Sequence, residues 1–386
     1  ESLTAKNTYD IFVNSAAAFG DKIALRFLTS AAPGAESIAW SYNDLLSGIH
    51  QTANMLHELG IGGQESVSIL LPGCLEYHLA LWGGEAAGII NPLNPLLSEA
   101  NLIELMHHSN TRVLIAYGDD ADNDSGYWHK ALRMMGKVPS LKTLIRVPPH
   151  NEGQDDNNAL STGIIDFYQA IASQPDDHLI SGRTIEPDDI AAYFHTGGTT
   201  GAPKLAIHTH YNQVFTAWAS VQLQGIRQTD ITINGYPLFH VAGVLPGSLA
   251  SLSAGVEVII PTIDLMRNRD IIRNYWKLVE HHGVTVVSAV PTALGALAAV
   301  PLAGADISSV TFCRTGAAPV PAELVERYQT LFNLTIQESL GMTEMAGISS
   351  ITPPGVASPV GCVGLRIRPS RLTTCSTLGT RALRSV

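Results

Sequence analysis

The sequence predicts an α/β protein with more than one sheet, and three observations lead to this fold class. Short apolar runs of strand length alternate with longer stretches whose apolar residues recur at helical spacing. Acidic, turn-rich segments divide the chain into two such series. The 386 residues, 45% of them hydrophobic and 15% charged, can build a sizeable core. We therefore expect parallel sheets with crossover helices.

The first series runs from Ser66 to Tyr117. "SVSILL" is an apolar run closed by Pro-Gly and predicts a buried strand. "CLEYHLALWGGEAAG" has helical spacing and ends in glycine, "GIINPL" predicts a strand, and "SEANLIELMHHS" predicts a helix that begins after a serine cap. "TRVLIAY" completes the order strand, helix, strand, helix, strand, which is typical of a parallel sheet.

The second series follows two polar segments, "GDDADNDSG" and "PPHNEGQDDNNALSTG", which predict exposed loops. It begins with the strand "IAAYFHT" and continues with strands in "TDITINGYPLF", "GVEVIIP", "VTVVSAVP" and "SSVTFCRTG", with helices such as "IIRNYWKLVEHHG" between them. The apolar stretch 241–261 is broken by Pro246 and several glycines, so we expect buried protein there and no membrane span.

Charge and cysteine usage exclude several classes of protein. A formal net charge of −11 argues against a nucleic-acid partner, since phosphate contacts require a basic surface. The four cysteines have no CxxC spacing, so neither a zinc site nor a disulfide framework is indicated. With no basic start followed by an apolar run, we expect no signal peptide and a cytoplasmic protein in a reducing compartment.

A glycine-rich run, "TGGTTGAPK", follows the strand "IAAYFHT" and predicts a phosphate-binding loop. Glycines let the backbone approach a ligand closely, while threonine hydroxyls and a lysine supply donors and positive charge. The run is not a Walker loop, because Pro203 precedes Lys204 and Leu205 follows it. A glycine-rich hairpin that binds nothing is the alternative, and the combination of strand, donors and lysine favours the loop.

This run resembles the signature of the AMP-forming adenylating enzymes, which include acyl-CoA synthetases, amino-acid adenylation domains and firefly luciferase. The resemblance implies that the loop holds the β- and γ-phosphates of ATP, through Thr196, Thr199, Thr200, Lys204 and the backbone of Gly197, Gly198 and Gly201. The sequence has Gly197 where the family usually has serine, and Leu205 where it usually has glycine.

Two later segments resemble further family motifs in the family's order. "TGAAPV" resembles the segment along the adenine ring, which implies contacts from Gly316, Ala317, Ala318 and Pro319. "ESLGMTEM" resembles the motif whose threonine bonds the α-phosphate and whose glutamate holds Mg²⁺. The resemblance makes Thr343, Glu344 and Lys204 catalytic, with Glu344 as metal ligand, and adds nucleotide contacts from Glu338, Ser339, Leu340, Gly341 and Met342. An aromatic residue usually stands where this chain has Leu340.

A fourth segment, "YPLFHVAGV", resembles the border of the acyl pocket. Amino-acid adenylation domains usually carry an aspartate there, and this chain has none, which favours an apolar acid over an amino acid. The substrate contacts implied are His240, Val241 and Gly243, with Pro291 from the apolar "SAVPTALGAL"; both segments could equally be core. His208 and His210 have no further His or Cys cluster with them, so a structural role is favoured over a metal site.

The end of the chain departs from the family pattern. Residues 366–386 hold five of the 23 basic residues, none of the 34 acidic ones and no clear periodicity. We expect residues 1–365 to form the large domain of the adenylate-forming fold and residues 366–386 to be an irregular basic tail, frameshifted or disordered. No lysine follows Lys277, so the family's small lysine-bearing C-terminal domain is expected to be absent and activity impaired.

The function expected from the resemblance is that of an acid–thiol ligase. ATP, Mg²⁺ and a small carboxylic acid, fatty or otherwise apolar, would give acyl-AMP, and CoA would then take the acyl group. Three alternatives remain: an aryl-acid ligase or amino-acid adenylation domain, a non-catalytic nucleotide- or acyl-binding protein, and the product of a defunct gene. The resemblance also leaves a homodimer open.

Overall fold

A computed structural model of the chain describes residues 3–119, 126–150, 163–196, 203–356 and 362–366. Sixteen strands and twelve α-helices lie within these ranges. The strands are β1 (Ile23–Leu28), β2 (Ser37–Ser41), β3 (Ser66–Leu70), β4 (Ile89–Pro92), β5 (Thr111–Tyr117), β6 (Thr143–Val147), β7 (Ile164–Asp166), β8 (Ile190–Thr196), β9 (Lys204–Thr209), β10 (Ile231–Asn234), β11 (Glu257–Ile260), β12 (Val286–Ser288), β13 (Phe312–Thr315), β14 (Ile336–Met342), β15 (Gly347–Ile351) and β16 (Leu365–Arg366). The helices are α1 (Thr8–Phe19), α2 (Tyr42–Glu58), α3 (Leu75–Ala87), α4 (Glu99–His108), α5 (Tyr127–Met135), α6 (Phe167–Ala172), α7 (His210–Gln224), α8 (Val241–Val244), α9 (Ala250–Ser253), α10 (Arg269–His282), α11 (Pro291–Ala298) and α12 (Ala322–Phe332).

The strands form two mixed sheets. One has nine strands in the order β16-β15-β14-β13-β12-β10-β11-β1-β2, and the other has seven in the order β7-β6-β5-β3-β4-β8-β9. Most neighbours are parallel, as βαβ connections require. Antiparallel pairs lie at the margins: β1 with β2, β14 with β15, β15 with β16, and β8 with β9. The predicted fold class, α/β with several sheets and crossover helices, is confirmed.

The predicted first series is confirmed closely. The run that begins at Ser66 is β3, the helix after Cys74 is α3, and Ser98 caps α4 by accepting a hydrogen bond from the amide of Asn101. The strand predicted as "IAAYFHT" is β8 without a shift at either end. The predicted loops lie in part at 120–125 and 151–162, outside the described residues, as does most of the predicted tail.

The apolar stretch after His240 folds as short helical pieces. α8 leads into a single π-helical turn at Leu245–Leu249, which contains Pro246, and α9 follows. Proline removes an amide donor, so a regular helix cannot run through this position. No helix in the described ranges has the length and apolarity to cross a membrane.

Helix α3 is the centre of the core, because all thirteen of its residues are buried. Its apolar side chains belong to the largest apolar cluster, which includes residues from α1, α2 and both sheets. Two carboxylates are buried with them. Glu76 contacts His150 at 3.4 Å, and Glu85 accepts a hydrogen bond from Gln213 Nε2 at 2.9 Å.

The Glu85 carboxyl group lies in an environment that opposes its ionisation. Its Oε2 atom is buried without a hydrogen-bond partner, and no cation among the described residues pairs with it. Burial raises the pKa of Glu85 to about 7, although hydrogen bonds from Thr8 and Gln213 lower it in part. Below the unfolded-state pKa near 4.5, the carboxyl group is protonated in both the folded and the unfolded protein, and its raised pKa contributes fully to the free energy of unfolding. As the pH rises from 4.5 through about 7, the unfolded state loses this proton more readily than the folded state, and the contribution is lost.

We expect Glu85→Gln to raise the free energy of unfolding above pH 7 by about 1–3 kcal/mol, because the glutamine carries no charge to bury. The gain should shrink as the pH falls toward 4.5. Urea unfolding of both proteins across this pH range measures the difference. Glu326→Gln, at an exposed position of α12, is the control and should change nothing. An equal gain at every pH would contradict the interpretation.

Candidate active site

A cleft of about 270 Å³ lies where the nine-stranded sheet meets the end of β8. Its volume is close to that of small-ligand pockets, which begin near about 300 Å³. The residues that line it come from many strands, helices and turns; they are Thr196, Gln224, Tyr236, His240, Val241, Ala242, Pro246, Gly247, Ser288, Arg314, Thr315, Gly316, Ala317, Ser339, Gly341, Met342, Thr343, Glu344, Gly347, Ile348 and Ile351.

Parallel pairing explains why polar residues converge in this cleft. Ser288 of β12 pairs with Arg314 of β13, and Thr315 pairs with Glu338 of β14. Each lies at the carboxyl end of a parallel strand or just beside it, and such ends meet at one edge of a sheet, where ligands of open α/β sheets bind. The two segments predicted to contact the nucleotide therefore lie next to each other.

The wall formed by Gly316 and Ser339 has little room for a side chain. A Cβ on Gly316 would lie 2.5 Å from Ser339 Oγ, which in turn donates to the carbonyl oxygen of Thr315 at 3.0 Å. Ala317 has φ 69°, a left-handed conformation that alanine rarely adopts. Strained backbone at a cleft is a common feature of ligand sites.

The turn that carries Thr343 and Glu344 is joined to the other sheet. Strand β14 continues beyond the parallel sheet and reverses through a 3₁₀ turn at Thr343–Met345 into β15. His208 of β9 donates through Nε2 to the carbonyl oxygen of Thr343 at 2.7 Å. Burial lowers the pKa of His208 to about 4, so the imidazole is neutral at physiological pH. The structural role predicted for His208 is confirmed.

His210 belongs to a helix and not to the strand of His208. It is the first residue of α7, and its Nδ1 lies 2.9 Å from the hydroxyl of Thr8. Both histidines are buried. In the described part of the chain no group of three or more His, Cys, Asp or Glu side chains is arranged to hold a metal ion.

Lys204 lies beside the cleft and not in its wall. It pairs with Thr196 across the β8–β9 hairpin, whose intervening loop is the glycine-rich run. The loop residues Gly197, Gly198, Thr199, Thr200 and Gly201, all predicted to bind phosphate, lie outside the described residues. Thr196 lines the cleft together with Thr343 and Glu344. The first strand of the hairpin and the turn after β14 therefore face one cavity.

Several residues with predicted roles do not line the cleft. Ala318 and Pro319 follow the lining residues of the "TGAAPV" segment, and Leu340 is 53% exposed on β14. Glu338 accepts a hydrogen bond at 3.4 Å from the amide of Val320. Pro291 is buried at the start of α11. For these residues a direct ligand contact remains a prediction.

Part of the segment predicted to border the acyl pocket lines the cleft. His240, Val241 and Ala242 line the cleft. His240 caps α8 by accepting a hydrogen bond at Nδ1 from the amide of Ala242, and burial lowers the pKa of His240. Gly243 has a structural position: a Cβ there would lie 2.3 Å from the carbonyl oxygen of Pro237.

Several lining residues were not predicted from the sequence as site residues, among them the polar Gln224, Ser288 and Arg314. The signal for Arg314 was present, because a charged residue interrupts the apolar strand run "VTFC" directly before "TGAAPV". Gln224 gave no such signal, since it lies 20 residues after Lys204 at the end of a long helix. Only the packing of α7 against the sheet places it in the cleft.

Comparison with known protein families gives one match over most of the chain. The model of the AMP-binding enzyme family matches residues 12–375. Marinolic acid–CoA ligase of a Pseudoalteromonas species is 30% identical over 335 residues, which are 85% of this chain and 49% of that protein. Sulfoacetate–CoA ligase of Cupriavidus necator is 29% identical over 315 residues, 81% of this chain and 55% of that protein. The chain thus spans about half the length of these relatives.

Solved structures show the same fold. The anthranilate CoA ligase AuaEII, crystallised with anthranoyl-AMP, superposes with a TM-score of 0.80 at 22% identity. The match covers 95% of this chain and 65% of that one. At this level of identity the likeness establishes the fold, including the arrangement of the two sheets.

We expect Gly341→Ala to destabilise the protein by about 1–3 kcal/mol, because a Cβ at this position would lie 2.2 Å from the carbonyl oxygen of Gly347 and separate β14 from β15. Urea unfolding measures the change. Gly295→Ala is the matched control: nothing lies within 4 Å of its added Cβ in helix α11, so it should be neutral or stabilising by up to about 1 kcal/mol. Equal stability of the two variants would show that the close approach at Gly341 is not a constraint.

Proposed function

This chain belongs to the AMP-binding enzyme family, and on that premise we propose that it activates a carboxylic acid with ATP and transfers the acyl group to coenzyme A. The observation that carries the proposal is the convergence of three separate segments, at Thr196, at 315–317 and at 339–344, on one cleft. These are the segments whose sequences resemble the family's phosphate, adenine and magnesium motifs. None of the three segments is specific for this function by itself, whereas their convergence on one cleft is.

The nucleotide base is proposed to lie against Gly316 and Ala317. The absence of a side chain at Gly316 and the methyl group of Ala317 leave a flat surface. Because Gly316 lies so close to Ser339, a larger residue would not fit at this position. Leu340 in place of an aromatic residue would cover the ring by dispersion and forgo stacking, which costs about 1 kcal/mol. Ala318, Pro319 and Glu338 are proposed to support this wall.

The polyphosphate is proposed to bind between the glycine-rich run and the turn after β14. Thr196 and Thr343 supply hydroxyls, and Lys204 supplies an ammonium group at the base of the hairpin. Glu344 is exposed, lines the cleft and has no ion pair with another described residue, so its carboxylate is free to ligate Mg²⁺. Magnesium usually takes one or two carboxylates and completes its shell with phosphate oxygens and water, so a single acid fits.

The proposed reaction begins when a carboxylate oxygen of the acid attacks the α-phosphorus of ATP. The bond from that phosphorus to the β-phosphate oxygen breaks, and pyrophosphate leaves with the acyl-AMP formed. Lys204 and Thr343 would stabilise the negative charge that grows on the leaving group and the α-phosphate, and Glu344 would hold a Mg²⁺ ion, which would supply further positive charge there. The thiol of CoA then attacks the acyl carbon, and AMP departs.

The acid is proposed to have an apolar body and no amine. Val241, Ala242 and Ile351 form apolar walls, and the segment 236–244 has no carboxylate to pair with an ammonium group. The relatives named above act, by their names, on acids as different as marinolic acid and sulfoacetate, so family membership leaves the acid open.

The proposal is tested by ATP–pyrophosphate exchange with a panel of aliphatic, aromatic and amino acids. Exchange that depends on a carboxylic acid supports it, and dependence on amino acids would point to an adenylation domain instead. ATP binding without exchange for any acid would contradict an activating enzyme and favour a nucleotide-binding protein.

We expect Lys204→Met and Glu344→Gln each to weaken Mg·ATP binding about 10- to 100-fold, because each removes one charged contact to the phosphates or the metal. Calorimetric titration with Mg·ATP measures the affinity. Lys277→Met and Glu326→Gln remove the same charges at exposed positions of α10 and α12, so they should leave the affinity unchanged. Equal effects at the four positions would show that the change in net charge, and not a direct contact with the ligand, weakens binding.

A further inference from the structure

A buried cation lies in the wall of the cleft. Arg314 is 7% exposed, at a position of β13 between Cys313 and Thr315, which are both buried. Its side chain lines the cleft, and among the lining residues of the described chain it carries the one permanent positive charge. A guanidinium group stays protonated at all physiological pH values, even though burial lowers the pKa of Arg314.

The charge of Arg314 is not neutralised by an acid. Nε donates to Ser288 Oγ at 2.8 Å, and Nη1 donates to Gln224 Oε1 at 2.7 Å. Both partners are neutral, and no carboxylate of the described residues lies within 4 Å of the guanidinium. Asp230 acts on Arg314 only through space, since it accepts hydrogen bonds from Arg227 and Thr285. A buried, unpaired charge is costly, which indicates a missing partner.

Two donors at this position lack acceptors. Nη2 of Arg314 has no hydrogen-bond partner among the described residues. Gln224 must present its oxygen to Arg314, so its Nε2 group is the donor that remains, and this atom is buried without a partner. Leaving a buried donor such as this one unsatisfied is costly. Gln224 Nε2, together with the unpartnered Nη2 of the cleft-lining Arg314 and its uncompensated positive charge, matches an anionic group with several acceptor oxygens.

This cluster is too far from the proposed phosphate site to serve it. Arg314 pairs with Gln337, and the six residue steps from Gln337 to Thr343, at about 3.3 Å each, place Thr343 about 20 Å away along the strand. Gln224 is the last residue of α7, whose fifteen residues start at His210 directly after β9, a length of about 21 Å. Both elements place Arg314 at the opposite end of the cleft from Lys204 and Glu344.

We propose that Arg314 and Gln224 bind a second anionic group, a carboxylate or a sulfonate, at the end of the acid substrate remote from the carboxylate that is activated. The inference rests on the proposed function, which it narrows to acids with an anionic group at each end. Apolar walls between the two ends suit a hydrocarbon chain. Arg314 is then a specificity-determining residue, with Ser288 holding its guanidinium in place.

The experiment compares straight-chain α,ω-dicarboxylic acids of increasing length, each with its monomethyl ester, and adds ω-sulfonated acids as a second arm. Calorimetry gives the affinity of the wild-type chain for each compound and, separately, for Mg·ATP. At the length that fits, the free diacid or the sulfonate should bind about 10- to 100-fold more tightly than the ester. Arg314→Met should abolish this preference and leave Mg·ATP binding unchanged. Arg273→Met, at an exposed position of α10, is the control and should keep the preference.

Two further variants keep the test decisive if Arg314→Met folds poorly. Arg314→Lys should retain a reduced preference, since a point charge replaces the planar fork. Gln224→Glu places a carboxylate on Arg314 and should remove the preference while the protein stays folded. If the wild-type protein binds Mg·ATP but prefers the esters, the role of Arg314 is overturned and the proposed function is not. If the wild-type protein prefers the diacid but does not bind Mg·ATP, the proposed function is overturned and the anion-binding role of Arg314 is not.

Discussion

The parallel pairing of β12, β13 and β14 is the constraint on which the cleft depends. In a parallel sheet every strand ends at the same edge, so residues that are far apart in the sequence become neighbours when they share that position. Ser288, Arg314 and Gln337 are register partners across three strands, although 49 residues separate the first from the last. The chemistry proposed for the site uses residues just beyond these positions. The binding surface is therefore a consequence of the sheet topology.

A second constraint joins this edge to the other sheet. The β8–β9 hairpin carries Thr196 and Lys204, and His208 in the same hairpin donates to the backbone of Thr343. A neutral imidazole is needed for this contact to remain buried at low cost, and burial itself keeps His208 neutral by lowering its pKa to about 4. One hydrogen bond from a side chain to the backbone thus positions the proposed magnesium turn relative to β9.

The two ends of the cleft differ in the charged residues that they carry. At one end lie an exposed acid, Glu344, and an exposed lysine, Lys204, where charges can be hydrated until a ligand arrives. At the other end Arg314 is buried with neutral partners. An uncompensated buried charge lowers the stability of the empty protein, and a ligand that supplies the opposite charge recovers that free energy on binding. In the function proposed here, a buried cation of this kind would discriminate between acids that share the same activated carboxylate.

The sequence by itself determined the fold class, most of the strands and the family. The spacing of apolar residues and the flanking turn residues are local signals, and they predicted the strands that begin at Ser66 and Ile190. The glycine-rich run and "GMTE" are each contiguous in the sequence, so both motifs could be recognised without knowledge of any tertiary contact. It did not determine which neighbours line the cleft. Pro291 and Gly243, expected at the substrate, lie at a helix start and against the Pro237 carbonyl oxygen. Gln224 reaches the cleft only because α7 extends across the sheet edge. Only the tertiary structure decided that Arg314 lacks an acidic partner, since pairing depends on which side chains are within a few ångströms and not on their order in the chain.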